Sequence, residues 1–270
     1  MQVAAIQFSS GPDLERNLKS MEQRLGDAIA GGARLVVFPE HAYLYAERPI
    51  WHASLPRFAE LRALFASWAK RHGIFLIPGS LREPVPGKAD RFFNTLPLFG
   101  PDGSQLACYR KIFLFRAKLS DRDYNEGEDC QAGVELVTAK VDQHQVGLSI
   151  CYDLRFPELF RGLKKRGASL IVLPSAFTVP TGKAHWDCLT RARAIENQVF
   201  LVAPGQVGVL GNGAATFGHS RIISPWGEVL AEVSDGEGIA MAQLDLGLIE
   251  AARGRVDAWA SRRDDLFPIA

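Results

Sequence analysis

Short apolar runs separated by helix-spaced stretches constrain this chain more than any other feature. Residues 3–8, 35–38 and 74–78 are apolar runs. Between them, 13–29 carries Leu14, Leu18, Met21, Leu25, Ala28 and Ile29, and 58–72 carries Phe58, Leu61, Leu64, Phe65, Trp68 and Ala69. Both sets follow helical periodicity. Gly31, Gly32 and Gly73 mark the helix stops. The run 35–38 has no polar alternation, as a strand buried on both faces requires. A β-α-β-α-β order of this kind builds a sheet with helices packed on it.

The second half repeats the pattern. It has strands at 145–150, 169–173 and 199–203 and helices at 158–165 and 184–197. Between the halves, strands at 91–99 and 105–109 flank the turn Gly100-Pro101-Asp102-Gly103, and 134–139 precedes a polar turn at Asp142-Gln143-His144. A glycine-rich loop spans 205–213. Strands at 218–224 and 228–233 meet at Pro225-Trp226-Gly227, and a strand at 239–244 leads to a helix near 246–253. No linker or low-complexity stretch interrupts the order, so the expectation is two similar sheet-and-helix layers in one domain, 1–270.

Composition narrows the function classes. A net charge of +1 gives no reason to expect nucleic acid or a membrane surface as partner. No stretch reaches the ~20 apolar residues a membrane span needs. The four cysteines, Cys108, Cys130, Cys151 and Cys188, form no CxxC pair, which argues against a zinc site or redox motif. The N-terminus reads as a strand, not a signal peptide. The expected compartment is the reducing cytoplasm.

Three reactive side chains fall at strand ends. Glu40 closes LVVFPE, Lys111 follows QLACYR, and Cys151 closes VGLSIC. In that last run Val146, Leu148 and Ile150 alternate with Gly147 and Ser149. An isolated charge beside a buried strand is costly unless paired. Ligands of α/β sheets bind beyond the carboxyl ends of the strands. An acid, a cation and a thiol there point to one shared pocket. A cysteine nucleophile needs a base, commonly histidine. His41, His185 and His219 are poorly placed for that, so a carboxylate base with a lysine partner suits the residues better. The ammonium and the start of the following helix would favour the thiolate.

FPE at Glu40, YRKIFLF at Lys111 and SICYDLRFPEL at Cys151 strongly resemble the motifs of the nitrilase superfamily of carbon–nitrogen hydrolases. The resemblance covers nearly the whole chain. PSAFTVPTGKAHWDCLTRARAIENQVF and GHSRIISPWGEVLAE resemble the branch containing deaminated glutathione amidase and omega-amidase. The resemblance implies a four-layer α-β-β-α sandwich (class α/β) and a Glu-Lys-Cys triad of Glu40, Lys111 and Cys151. It also implies a second glutamate, placed best at Glu126 in YNEGEDCQAG, and a homodimer or larger homo-oligomer.

The implied reaction is hydrolysis of the terminal amide of a small carboxylate-bearing substrate, through a thioester, to acid plus ammonia. No metal or organic cofactor is required. Lys111 and the Tyr152 N–H would hold the oxyanion. Deaminated glutathione is the leading substrate, and a shorter omega-amide the alternative. An N-carbamoyl amino acid hydrolase, a nitrilase or a catalytically silent binding protein are the other readings. Arg155 is the first candidate for a substrate carboxylate, with Arg116, Lys118 and Lys183 behind it. Phe177 and Thr178 are expected to line the pocket.

Overall fold

The strands Gln2–Gln7, Leu35–Val37 and Phe75–Ile77 lie parallel in the middle of a seven-stranded sheet. Its antiparallel flanks are Gly238–Gln243 on one side and Leu81–Val85, Lys88–Phe99 and Gln105–Arg110 on the other. A second sheet, six-stranded, has the same plan. Its parallel centre is His144–Leu148, Leu170–Val172 and Phe200–Ala203, flanked by Thr138–Val141, Ser220–Ile223 and Val229–Val233. The structure, a computed structural model, describes residues 1–119, 123–210 and 213–268, the side chain of Ala89 excepted.

Strand alternation sets the layers. Successive side chains point to opposite faces. Ala4, Ile6, Val36 and Leu76 pack against Leu18, Met21 and Leu25 of the helix Leu14–Ala30 and Leu61, Phe65 and Trp68 of the helix Phe58–His72. Their neighbours Val3, Ala5, Leu35, Val37, Phe75 and Ile77 belong to a core shared with Val146, Leu148, Leu170 and Val172 of the second sheet. The helices Pro157–Lys165 and Asp187–Asn197 contribute Leu159, Phe160, Leu163 and Ala194 to that core. The result is the expected α-β-β-α sandwich. Each fully buried Leu, Ile or Phe is worth ~1.5–3 kcal/mol, so both cores contribute to holding the layers together.

Local signals are satisfied where the pattern demanded them. Asp13 caps its helix by accepting from the Arg16 N–H at 3.0 Å. Gly73 ends the second helix in the left-handed region at φ 63°. Gly147 is fixed by packing: a Cβ there would lie 3.0 Å from Leu163 Cδ1 and 3.3 Å from Ile171 Cγ1. Its absence lets the helix Pro157–Lys165 settle onto the strand His144–Leu148.

Several boundaries differ from the periodicity. The expected strand at 134–139 is Thr138–Val141, because its register is set by pairing with His144–Leu148. The expected helix at 184–197 begins at Asp187, after a π-helical turn Gly182–Trp186. Gly182 abuts the Phe217 ring so closely that a Cβ would lie 2.2 Å from Cγ. The strand expected at 218–224 starts at Ser220, since Gly218 and His219 both take positive φ. Part of the loop 205–213 is the strand Val207–Val209, paired with Ala215–Phe217, and residues 211–212 of it lie outside the described residues. The helix Arg48–Ser54 and the strand Leu81–Val85 had no periodic signature.

Candidate active site

Parallel pairing continues past the ends of the short central strands and aims the loops. The Phe38 N–H donates to the Ile77 carbonyl, and the Cys151 N–H donates to the Pro174 carbonyl at 3.0 Å. Glu40 follows the first of these bonds, in the loop after Leu35–Val37. Lys111 comes directly after Gln105–Arg110, its N–H donating to the Asn94 carbonyl at 2.8 Å. Gly79 makes room for the glutamate loop. At φ 84° it brings its α-carbon so close to Pro39 that a Cβ would sit 2.1 Å from the Pro39 oxygen.

Lys111, 2% exposed, is gripped by two carboxylates. Its Nζ donates to Glu40 Oε1 at 2.9 Å and to Glu126 Oε2 at 2.8 Å. Asn94 spans the same two acids, its Nδ2 donating to Glu40 Oε1 at 2.9 Å and Glu126 Oε1 at 3.0 Å. The Phe115 N–H completes Glu126 by donating to Oε2 at 2.7 Å. Burial alone would lower the lysine pKa. The charges of Glu126 and Glu40 outweigh it and hold the ammonium well above the ordinary lysine value. The cation is therefore permanent at working pH.

Cys151 faces this cluster from the second sheet. It opens the 3-10 turn Cys151–Arg155 at φ 46°, a left-handed conformation uncommon for a side-chain-bearing residue. Such strain, ~1–3 kcal/mol, persists only where the surroundings enforce it. Burial pushes the thiol pKa well above the ordinary cysteine value. The Glu40 charge pushes it further, while Lys111 and the Ala176 N–H oppose. The resting sulfur is thus a neutral thiol. Lys111 favours the thiolate, as the sequence leads one to expect, but desolvation and the neighbouring carboxylate outweigh it, so the proton has to be taken by a base.

Asp153 and Tyr109 brace the turn. The fully buried Asp153 accepts from the Ile150 N–H at 2.8 Å and the Tyr109 hydroxyl at 2.7 Å through Oδ2, and from the Phe113 N–H at 3.1 Å through Oδ1. Tyr152 lies in the first turn after the nucleophile, where N–H groups have no intrahelical acceptor.

Glu40, Lys111, Glu126 and Cys151 line a single cavity of about 300 Å³. His41, Trp51, Arg82, Phe92, Phe115 and Thr178 share its wall. His41 is buried, and desolvation followed by the charges of Arg82 and Lys111 holds its imidazole well below the usual range, hence neutral. Arg155 and Phe177 instead line an adjoining crevice of about 20 Å³ with Tyr152, and Thr178 and Cys151 border both spaces. Arg155 Nη1 lies 3.3 Å from His185 Nδ1, and its guanidinium sits over the Tyr152 and Phe177 rings at 5.8 and 5.6 Å. Arg116, Lys118 and Lys183 are exposed and line neither space. Among the described residues, no group of three or more His, Cys, Asp or Glu side chains is arranged to hold a metal ion.

Asn94, Asp153, Tyr109 and Arg82 were not singled out in the sequence. Asn94 carried a usable signal: it is a lone amide inside the apolar run FFNTLPLF. The other three had none, because their roles depend on contacts across the fold.

The carbon-nitrogen hydrolase family pattern matches residues 2–254. The chain belongs to the carbon-nitrogen hydrolase family. It is 36% identical over 263 residues to a deaminated glutathione amidase from Synechocystis, covering 96% of this chain and 97% of that protein. To the Xenopus laevis omega-amidase NIT2-B it is 34% identical over 272 residues, covering 99% and 97%. Among solved structures, the Caenorhabditis elegans NitFhit protein superposes with a TM-score of 0.93 at 33% identity; the match covers 99% of this chain and 66% of that longer one. Saccharomyces cerevisiae Nit3, a nitrilase superfamily member, gives 0.87 at 31% identity, covering 97% and 96%. A variant of the Nesterenkonia amidase gives 0.84 at 26% identity, over 99% and 95%, and carries the acetamide moiety of fluoroacetamide on its active site cysteine. Family membership and the four-layer fold thus agree with the motifs at Glu40, Lys111 and Cys151.

Proposed function

We propose that this chain hydrolyses the amide of a small carboxylate-bearing substrate through a thioester on Cys151. The observation that carries this reading is the Lys111–Glu40 pair, 2.9 Å apart and buried, in the same cavity as a strained cysteine. The sulfur attacks the amide carbon as its proton passes to Glu40. A thiol that is neutral at rest makes this transfer part of the attack. The carbonyl oxygen becomes negative and is held by the Lys111 ammonium and the Tyr152 N–H. One such donor is worth about 3–4 kcal/mol in the transition state. The C–N bond breaks as Glu40 returns the proton to the leaving nitrogen. Glu40 then takes a proton from water, which attacks the thioester, and the proton restores the Cys151 thiol. Glu126 positions Lys111 from the side away from the acid-base step.

Deaminated glutathione is the favoured substrate, on the similarity to proteins of that activity. From a primary amide the leaving group is ammonia. From deaminated glutathione, whose amides are secondary, it is an amine. A short omega-amide is the second reading, favoured by the 34% identity to an omega-amidase and by a cavity at the small end of ligand-site sizes. N-carbamoyl compounds and nitriles suit the same triad less directly. The intact cluster speaks against a silent binding protein. Released amine or ammonia, measured over a panel of these four classes, tests the reading. Turnover by Cys151→Ala, or no turnover of any amide by the unmodified chain, would end it.

The reading extends to one carbon-nitrogen hydrolase domain over 1–270, consistent with the family match over 2–254. It also extends to a homodimer or larger assembly in the cytoplasm. Leu266 and Phe267 are 59% and 72% exposed beside an apolar groove at Phe113, Leu136 and Leu159, which supports association. Four free cysteines support a reducing compartment. No helix among the described residues is long and apolar enough to cross a membrane.

A further inference from the structure

The main chains of the two sheets meet beside the site. Phe8, one residue past Gln2–Gln7, donates its N–H to the Gly205 carbonyl at 3.4 Å and accepts from the Val207 N–H at 3.0 Å. Gln206 lies between those two bonds. Its own N–H donates to the Ser175 carbonyl at 2.9 Å, and its carbonyl accepts from the Gly218 N–H at 3.0 Å. Gly205 makes this approach possible, since a Cβ there would lie 2.7 Å from the Gly218 oxygen. The backbone of Gln206 is fixed on both sides, so its side chain leaves from a rigid base.

That side chain is fully buried and crosses to the loop that carries Glu40. Nε2 donates to the Glu40 carbonyl at 2.9 Å and to Ser10 Oγ, and Oε1 accepts from the Ser10 N–H at 3.1 Å. Ser10 Oγ in turn donates to the His41 carbonyl at 3.2 Å. The clasp thus closes on two successive carbonyls of a bend strained at His41, φ 55°. The main chain of the same Gln206 holds Ser175. Ser175 stands between Pro174, whose carbonyl accepts the Cys151 N–H, and Ala176, whose N–H faces the sulfur. One residue therefore touches both the loop of the base and the loop beside the nucleophile. Lys111 and Asn94 hold the Glu40 carboxylate, but both come from the first sheet, so neither sets it against the sulfur. Gln7 offers a comparison. It is equally buried, with Nε2 donating to the Gly236 carbonyl at 2.8 Å and Oε1 accepting from the Ser220 N–H at 2.7 Å, yet neither partner lies in a loop of the site.

We propose that Gln206 is a positioning residue that sets the Glu40 carboxylate against the Cys151 sulfur across the two sheets. Its catalytic consequence rests on the amidase reading above; the placement itself is measurable without turnover.

The test follows alkylation of Cys151 by iodoacetamide against pH, read by peptide mass spectrometry. The charges that act on that thiol are those of Glu40 and Lys111. With the clasp gone the Glu40 charge recedes, so the alkylation midpoint of Gln206→Met falls by about half a pH unit or more. On a Glu40→Gln background the same substitution moves nothing. Gln7→Met, an equal cut in buried hydrogen bonds, leaves the midpoint in place. On the fastest amide of the panel above, kcat of Gln206→Met falls by about 100-fold while KM stays within about threefold. Ser10→Ala, a milder cut, shifts midpoint and kcat in the same directions by less, and it decides the matter if Gln206→Met does not fold. An unmoved midpoint or an unchanged kcat overturns the proposal. So does a midpoint shift that Gln7→Met shares or that persists without the Glu40 charge, because either marks Gln206 as structural. If the unmodified enzyme turns over no amide, the amidase reading falls, and the midpoint alone decides the role of Gln206.

Discussion

The Tyr109 hydroxyl donates to Asp153 Oδ2 at 2.7 Å and also accepts from the Ile112 N–H at 3.1 Å. This bond joins the strand that delivers Lys111 to the turn that delivers Cys151. Tyr109→Phe leaves a buried carboxylate one donor short and a backbone N–H without its acceptor. Stability should fall by about 1–3 kcal/mol in urea unfolding. Turnover should fall more than substrate binding does, because the two halves of the site lose register. Unchanged stability and kcat would show that the bond is dispensable.

Asp153 makes a pH prediction. Burial raises its pKa from 3.8 to about 6, against the Ile150 N–H, the Tyr109 hydroxyl and the Lys111 charge. A folded-state pKa above the unfolded one means that the folded chain holds the proton more tightly. The contribution is fully present below about 3.8 and is lost as pH rises through about 6. Unfolding free energies of the unmodified chain and Asp153→Asn, taken across that interval, should show the difference between them shifting against the carboxylate as pH rises. A constant difference would contradict the assigned direction.

Glu40 presses on the thiol. Its charge is the second contributor, after burial, to the raised Cys151 pKa. Glu40→Gln removes that charge while Lys111 stays, so the thiolate absorbance of Cys151 should appear at lower pH than in the unmodified enzyme. Cys151→Ala provides the blank for the other three cysteines. Turnover should be lost at the same time, because no group remains to move the proton. A more easily ionised nucleophile with no activity would separate the base role of Glu40 from any role in making the thiolate. A midpoint that stays or rises would count against this electrostatic picture.

Asn94 bridges Glu40 and Glu126 without carrying charge. Asn94→Leu removes one donor from each acid and should cost about 1–3 kcal/mol of transition-state stabilisation, or roughly 10–100-fold in kcat. Asn94→Asp should be worse, because it sets a third carboxylate beside a lysine that already balances two. Equal activity in the two variants would show that charge at this position is irrelevant.

Much of this architecture was legible because it is written in periodicity. The strands at Leu35–Val37 and Leu170–Val172 are uninterrupted apolar runs, and the helices between strands carry their spacing openly. The positions of Glu40, Lys111 and Cys151 could be read because each ends such a run. Asn94 and Arg82 could not be tied to the site, because only the register of Leu81–Val85 against Lys88–Phe99 sets them face to face. The resting protonation of Cys151 is likewise set by the closed fold. Burial depth is a property of the closed fold, and it outweighs the nearby cation that the sequence displays. Arg155, four residues past Cys151 in the chain, lines a narrow crevice that Cys151 also borders, a placement that only the turn Cys151–Arg155 and its packing on Phe177 decide.

The two halves of the chain hold different parts of the chemistry. Acid and ammonium ride on the first sheet, sulfur on the second, and the two meet only across the shared central core. On the proposed mechanism, neither half alone holds all the reacting groups. Activity therefore gauges how tightly the sandwich is closed. A partly expanded state, with both sheets still hydrogen-bonded, would keep its backbone spectrum and fall silent as a catalyst.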